Sequence, residues 1–179
     1  GLGCGLLDDQ AMAGSEVLGM PNPERVDRLE EGLTVIDRLL RQDDSPFEGR
    51  FTRYSSAATA PGCVQRPRLP IVVAGNGPRV TRLAADHAEI WNTWVDNGDL
   101  DLFRAQTVER VARFEQRLTE NGRGVAAVTR SLLVFDDVLD PWGDAGAIER
   151  VVESFHPLGF RQFVFYPPRP DQAAAFSHA

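Results

Sequence analysis

The chain has 179 residues, a formal net charge of −7 and a pI near 5.0, with 42% hydrophobic and 25% charged residues. That balance predicts one folded domain and excludes a disordered chain. An acidic average surface repels phosphate backbones and no basic patch offsets it, so nucleic acid is not an expected partner.

Gly1 to Leu7 (GLGCGLL) is a short apolar run, consistent with a buried strand that passes into a loop at Asp8-Asp9. Asn22 can cap a helix that opens at Pro23, along which Val26, Leu29, Leu33, Ile36, Leu39 and Leu40 recur at helical spacing. The basic residues Arg25, Arg28, Arg38 and Arg41 alternate with Glu24, Asp27, Glu30, Glu31 and Asp37, the pattern of a solvated helix face. Between Asp43 and Pro70 the helical period is absent: Phe47, Phe51 and Tyr54 around Glu48-Gly49 predict a small hairpin, followed by a proline-restricted insertion.

Ile71 to Ala74 is an apolar run of parallel-strand type, then come Gly75-Asn76-Gly77 and a helix opening at Pro78. The alternation continues with a strand over Ile90 to Trp94, a helix that stops at Asn121-Gly122, and a strand over Ser131 to Phe135. A helix through Ile148 and Phe155 ended by Gly159, a strand at Phe163 to Phe165 and a short tail helix complete it. Alternating strands and helices mean parallel βα units, about five of them, with right-handed crossovers. A complete barrel takes roughly 250 residues, so the missing length matches about three units. Gly1 in place of Met, and a first strand already under way, predict a chain processed or cut from a longer one.

At the C-terminal end of a parallel strand, glycines let the main chain approach an anion, and the following helix offers unpaired N–H groups at its positive end. Pro78 has no N–H, so Gly75, Asn76, Gly77, Arg79 and Val80 are the candidate amide donors, with the Arg79 guanidinium as a bidentate addition. The alternative is a tight turn with no ligand.

Val64-Gln65-Arg66-Pro67-Arg68-Leu69-Pro70-Ile71-Val72-Val73-Ala74-Gly75-Asn76-Gly77 resembles the segment leading through the fifth barrel strand of bacterial luciferase-like monooxygenases. Glu24 to Leu33 with Phe47-Glu48-Gly49-Arg50 is similar to that family's fourth helix and the insertion after it, Arg82 to Asn92 to its fifth helix and sixth strand, and Gly1 to Leu7 to its fourth strand. The resemblance implies an α/β fold, a partial (β/α)8 TIM barrel of the fourth to eighth units with the first three missing, and an insertion at about 43–69. It implies an oxidoreductase, a monooxygenase that uses reduced flavin and dioxygen on a small organic substrate, with FMN, or alternatively the deazaflavin coenzyme F-420 used for hydride transfer. The cofactor phosphate would lie at Gly75, Asn76 and Gly77, and Cys4, Gly5 and Leu6 would face the ring. The sequence departs from the family's deazaflavin dehydrogenases, which tend to place a glutamate where Gly5-Leu6-Leu7 stands, and offers Asn76, with Thr81 further on, where flavin members often have Ser or Thr. A flavin reductase and a second copy of the chain are the protein partners implied; the general acid or base would come from the absent strands, so no catalytic residue is assigned.

Trp91 reads as core, whereas Trp94, nearer the loop, can wall a flavin or apolar substrate. Cys4 reads as a small buried hydrophobe, and with Cys63 it makes two thiols in a chain of this size, which points to a reducing compartment and the cytoplasm. His87, His156 and His178 are scattered, and the pairs Asp8-Asp9, Asp43-Asp44 and Asp136-Asp137 fall at element boundaries as caps or turns, so no metal is expected. No apolar run approaches the roughly 20 residues of a membrane span and no basic-then-apolar leader opens the chain. A competing reading is an NAD-binding Rossmann domain, with Gly75-x-Gly77 after a strand and Asp96 as ribose-binding acid, although Val80 stands where a third glycine would give close helix–strand packing. Another is a barrel relative acting as a non-enzymatic subunit. By itself the chain is expected to expose two strand edges and to aggregate or dimerise.

Overall fold

Spatial order follows chain order in the central sheet of the computed structural model, which describes residues 1–5, 20–94, 99–135, 139–144 and 146–172. Its elements are α1 (Asn22–Leu40), β1 (Phe47–Glu48), β2 (Arg53–Tyr54), β3 (Val72–Ala74), α2 (Pro78–His87), β4 (Ile90–Trp94), α3 (Leu100–Glu120), β5 (Thr129–Val134), α4 (Ala147–Phe155) and β6 (Phe160–Phe165). β3, β4, β5 and β6 pair in that order, all parallel. The expected first strand contributes one parallel bridge, Leu2 to Val73, closed by Leu2 N–H to the Val72 carbonyl and Ala74 N–H to the Leu2 carbonyl, both 2.8 Å. A dinucleotide-binding sheet reverses its strand order at the ligand crevice; this sheet advances one strand per βα unit without reversal, as a barrel wall does.

Side chains alternate across each strand, so the sheet has a helix-covered outer face and an inner face. On the outer face Val73, Trp91, Leu132 and Val134 are buried beneath the helices. Trp91 stacks on Phe114 of α3 with ring centroids 4.5 Å apart, and Phe155 of α4 meets Phe160 edge-on at 5.9 Å. Each such ring removed from water contributes about 1.5–3 kcal/mol, which is why the βα units hold together here. The inner face carries Asn92, Ser131, Leu133 and Val164, and Asn92 donates its amide to the Ser131 hydroxyl at 3.0 Å. Val164 is 45% exposed. In a whole barrel, layers of side chains from all the strands fill that space.

α1 buries Val26, Leu29 and Leu33, as its period predicts, but its cap differs from expectation: Asn22 is the first helical residue, Pro21 holds the cap position, and no side chain bonds there. The hairpin forms between β1 and β2 and is tied to α1 by Glu31, which accepts the N–H groups of Arg50 (2.7 Å) and Phe51 (3.0 Å). α2 opens at Pro78, α3 is capped by Asp99 accepting from Leu102 N–H at 2.9 Å, and Gly122 (φ 67°) follows its end. No helix among the described residues is long and apolar enough to cross a membrane. Leu6, Leu7, Asp8, Asp9, Asp96, Asp136, Asp137, His178 and most of the expected tail helix lie outside the described residues; a short 3-10 turn at Pro170–Gln172 precedes that tail.

Candidate functional site

A cavity of about 660 Å³ lies at the C-terminal ends of the strands, walled by the ends of the Leu2 segment, β3, β4 and β5 and by the first turn of α1. Cys4, Gly5, Gly75, Asn76, Gly77, Arg79, Val80 and Trp94 all line it, so the sequence candidates that can be described converge on one site. Cys4 is half-buried at this wall, not sealed in the core.

The β3–α2 turn builds the floor. Gly75 N–H donates to the Asn92 carbonyl at 3.0 Å, so this amide belongs to the sheet and is not presented to the cavity as expected. Gly75 is required by packing: a Cβ there would lie 2.3 Å from Val80 Cγ1. The expectation that Val80 loosens helix against strand is thereby corrected, because Val80 fills the space that Gly75 leaves. Trp91 locks the turn from behind, its indole N–H donating to the Gly75 carbonyl at 3.1 Å. Gly77 caps α2 with ordinary extended angles, and a Cβ added there would meet no atom within 4 Å, so it borders open space. The helix's own bonding starts at Thr81 N–H to the Gly77 carbonyl, 2.9 Å. The Arg79 and Val80 amides lie in the first turn, ahead of that bond, where a helix cannot satisfy its own donors.

The two arginines at the wall behave differently. The Arg79 guanidinium, expected to reach an anion, turns to α1 and bonds Asp27 Oδ1 at 2.6 Å and the Pro23 carbonyl at 3.2 Å. The hydrogen bond from Arg79 holds the Asp27 carboxyl below the usual carboxylate range. Arg25, expected on a solvated face, is instead buried, 5% exposed. Its Nη1 donates to the Gly5 carbonyl at 3.1 Å, and its Nε is buried with no hydrogen-bond partner. Gly5 adopts φ 75°, a turn that favours glycine and brings that carbonyl round to the arginine. The described residues lining the cavity include these two arginines and no carboxylate or histidine. Sequence reasoning missed Arg25, although the signal was present: it precedes Leu29 by four residues and Leu33 by eight, which places it on the buried stripe of α1.

Beyond β5 the cavity is lined by Phe135, which belongs to an aromatic corner. Phe135 stacks on Tyr166 at 5.7 Å, and the Trp142 indole N–H donates to the Tyr166 carbonyl at 2.9 Å. Asp140 fastens this corner by accepting from Trp142 N–H (3.1 Å), Gly143 N–H (2.9 Å), Arg169 (3.1 Å) and Gln172 (2.6 Å). Burial works against its charge, yet these donors hold the Asp140 carboxyl below its ordinary value.

A family model described as luciferase-like monooxygenase matches residues 1–138. Among solved structures, an F-420-dependent secondary alcohol dehydrogenase held with an F-420–acetone adduct superposes with a TM-score of 0.74 at 16% identity, over 97% of this chain and 64% of that one. The coenzyme F-420-dependent tetrahydromethanopterin reductase of Methanopyrus kandleri gives 0.62 at 17% identity, over 97% of this chain and 69% of that one. A monooxygenase of Streptomyces bottropensis gives 0.56 at 20% identity, over 88% of this chain and 47% of that one. The chain thus spans about two thirds or less of each of these proteins, in keeping with part of a (β/α)8 barrel. With the family model matching most of its length, the chain belongs to the luciferase-like monooxygenase family.

Proposed function

We propose that this cavity holds the phosphate end of a flavin, FMN in the first instance, and that the full-length barrel is a flavin-dependent monooxygenase acting on a small organic substrate in the cytoplasm. The observation that carries the reading is Arg25: a buried guanidinium with an unpartnered Nε at the rim of a cavity that also faces the first turn of α2. A buried cation without a carboxylate is costly unless an anion completes it. The open space at Gly77 is where that anion fits, bounded by the Arg79 and Val80 amides.

When bound, the reduced ring supplies the electrons, and a separate flavin reductase would recharge it. This chain's residues bind and orient. Arg25 and the turn amides fix the phosphate, Trp94 and Cys4 border the ring's side of the cavity, and Leu133 and Phe135 give an apolar wall that excludes water from an organic substrate. A deazaflavin with hydride transfer is the second reading, supported by the two neighbours whose names carry F-420 and by a phosphate of the same chemistry.

Titration of the full-length protein with FMN and with riboflavin tests the proposal. FMN is expected to bind about 10- to 100-fold more tightly, the worth of charge-assisted bonds to the phosphate. Equal affinities would remove the phosphate cradle from this site.

A further inference from the structure

β3 stops pairing before β4 does. The last backbone partners are Ala74 with Asn92, followed by the Gly75 N–H to Asn92 carbonyl bond, while β4 runs on through Trp94. Beyond that point the main chain of residues 76 and 77 bends away towards α2, and β4 would be left without a neighbour on that side. The Asn76 side chain takes the place of the missing rung. Its Nδ2 donates to the Trp94 carbonyl at 3.1 Å, its Oδ1 accepts Trp94 N–H at 3.3 Å, and the Thr93 hydroxyl also donates to Oδ1. A carboxamide has the same donor and acceptor as a peptide group, so it can satisfy both polar groups of one residue at once.

We propose that Asn76 is a positioning residue that fixes Trp94 at the cavity wall. It does so by extending the sheet with its side chain. This differs from a direct role in holding an anion, because the side chain is turned to β4. The aromatic wall and the anion-binding turn are therefore one mechanical unit, in which a shift of Trp94 shifts the amides that follow Asn76. Aspartate, equal in shape, keeps both acceptor contacts but sets an oxygen against the Trp94 carbonyl. Alanine loses the three bonds to Thr93 and Trp94.

The consequence for a bound cofactor rests on the function proposed above, whereas the tether itself does not. The experiment uses the full-length protein without ligand, and measures hydrogen exchange at the Trp94 amide together with indole fluorescence, with Trp94→Phe identifying the Trp94 signal. Asn76→Ala is expected to speed exchange at Trp94 by about tenfold and to shift its emission, the effect of losing one net backbone-type bond. Asn76→Asp should retain the protection of the Trp94 amide and still disturb the emission. If Asn76→Ala fails to fold, Asn76→Asp alone decides, because an undisturbed Trp94 emission in that variant overturns the tether. Unchanged exchange and emission in both variants overturn it as well. FMN and riboflavin titrations then separate the two claims. A disturbed Trp94 with FMN binding weakened about 3- to 10-fold and riboflavin affected less supports both. A disturbed Trp94 with unaltered FMN binding upholds the tether and tells against the cradle.

Discussion

The two ends of the parallel sheet treat arginine in opposite ways. At the N-terminal ends of β3 and β4, Arg68 is 7% exposed and closed in by Asp37 and by both oxygens of Glu89, at 2.7 and 3.1 Å, with Glu89 also accepting Ile71 N–H at 2.7 Å. Arg130, at the start of β5, is likewise paired with Glu115. At the C-terminal ends, Arg25 is as deeply buried yet, among the described residues, meets only a carbonyl. Charges completed within the chain hold the fold together, and on the proposed function the charge left incomplete is the place for an anion from outside. That division is the one expected of a barrel, where the strand C-termini carry chemistry and the opposite face carries stability.

The largest expected effect is on the closed end. Arg68→Met takes the buried arginine from both carboxylates, leaving Asp37 with Arg41 and Glu89 with the Ile71 N–H, and is predicted to cost about 2–3 kcal/mol, below the figure for a sealed pair because these partners remain and Glu89 is partly exposed. Urea unfolding of the full-length protein measures it, and FMN affinity should not move. A loss of FMN binding equal to that from a change at the open end would erase the distinction between them.

Next in size is the joint between β3 and α2. Gly75→Ala forces a carbon against Val80 and should destabilise by about 1–3 kcal/mol. Adding Val80→Ala should recover part of that loss, a coupling of roughly 0.5–3 kcal/mol between neighbours. Additive losses would mean that Gly75 is needed for a reason other than Val80.

The smallest effect is in acid. Burial raises the Asp37 and Glu89 carboxyls, but the bonds from Arg41 and Arg68 to Asp37, and from Arg68 and Ile71 N–H to Glu89, outweigh it and leave them below their ordinary values of 3.8 and 4.5. Their folded-state values are depressed, so the stability they contribute is present above about pH 4.5 and is lost as pH falls through the lowered values. Melting temperature measured from pH 7 to pH 3 should fall in that acid window in the native protein. The fall should be shallower in Arg68→Met; identical slopes would show that these carboxylates are not what acid unfolds.

Much of the open end was legible in the sequence because it depends on local chemistry. A β-type run, two glycines and Pro78 in first helical position announce a strand–turn–helix joint without any long-range information. What the sequence hid were partners brought from far away. Arg79 looks available for an anion until the fold sets Asp27, 52 residues earlier, against it. Asn76 looks like a loop residue until β4 runs past it. Arg25 was misread for a different reason: alternating charges describe the solvated side of a helix, and a single arginine standing on the apolar stripe is lost among them. An apolar run also says nothing of how long its neighbour stays in register: among the described residues of the first strand, Leu2 alone bridges to β3.

The contrast between a closed and an open arginine is tested most directly by Arg25→Met in the full-length protein, read as FMN affinity and as melting temperature without ligand. An arginine awaiting an anion predicts FMN binding weakened about 10- to 100-fold while the unliganded protein melts at the same temperature or higher, since an apolar chain of similar size replaces an incomplete charge. A lower melting temperature with FMN affinity unchanged would contradict it, and would make Arg25 one more structural arginine like Arg68.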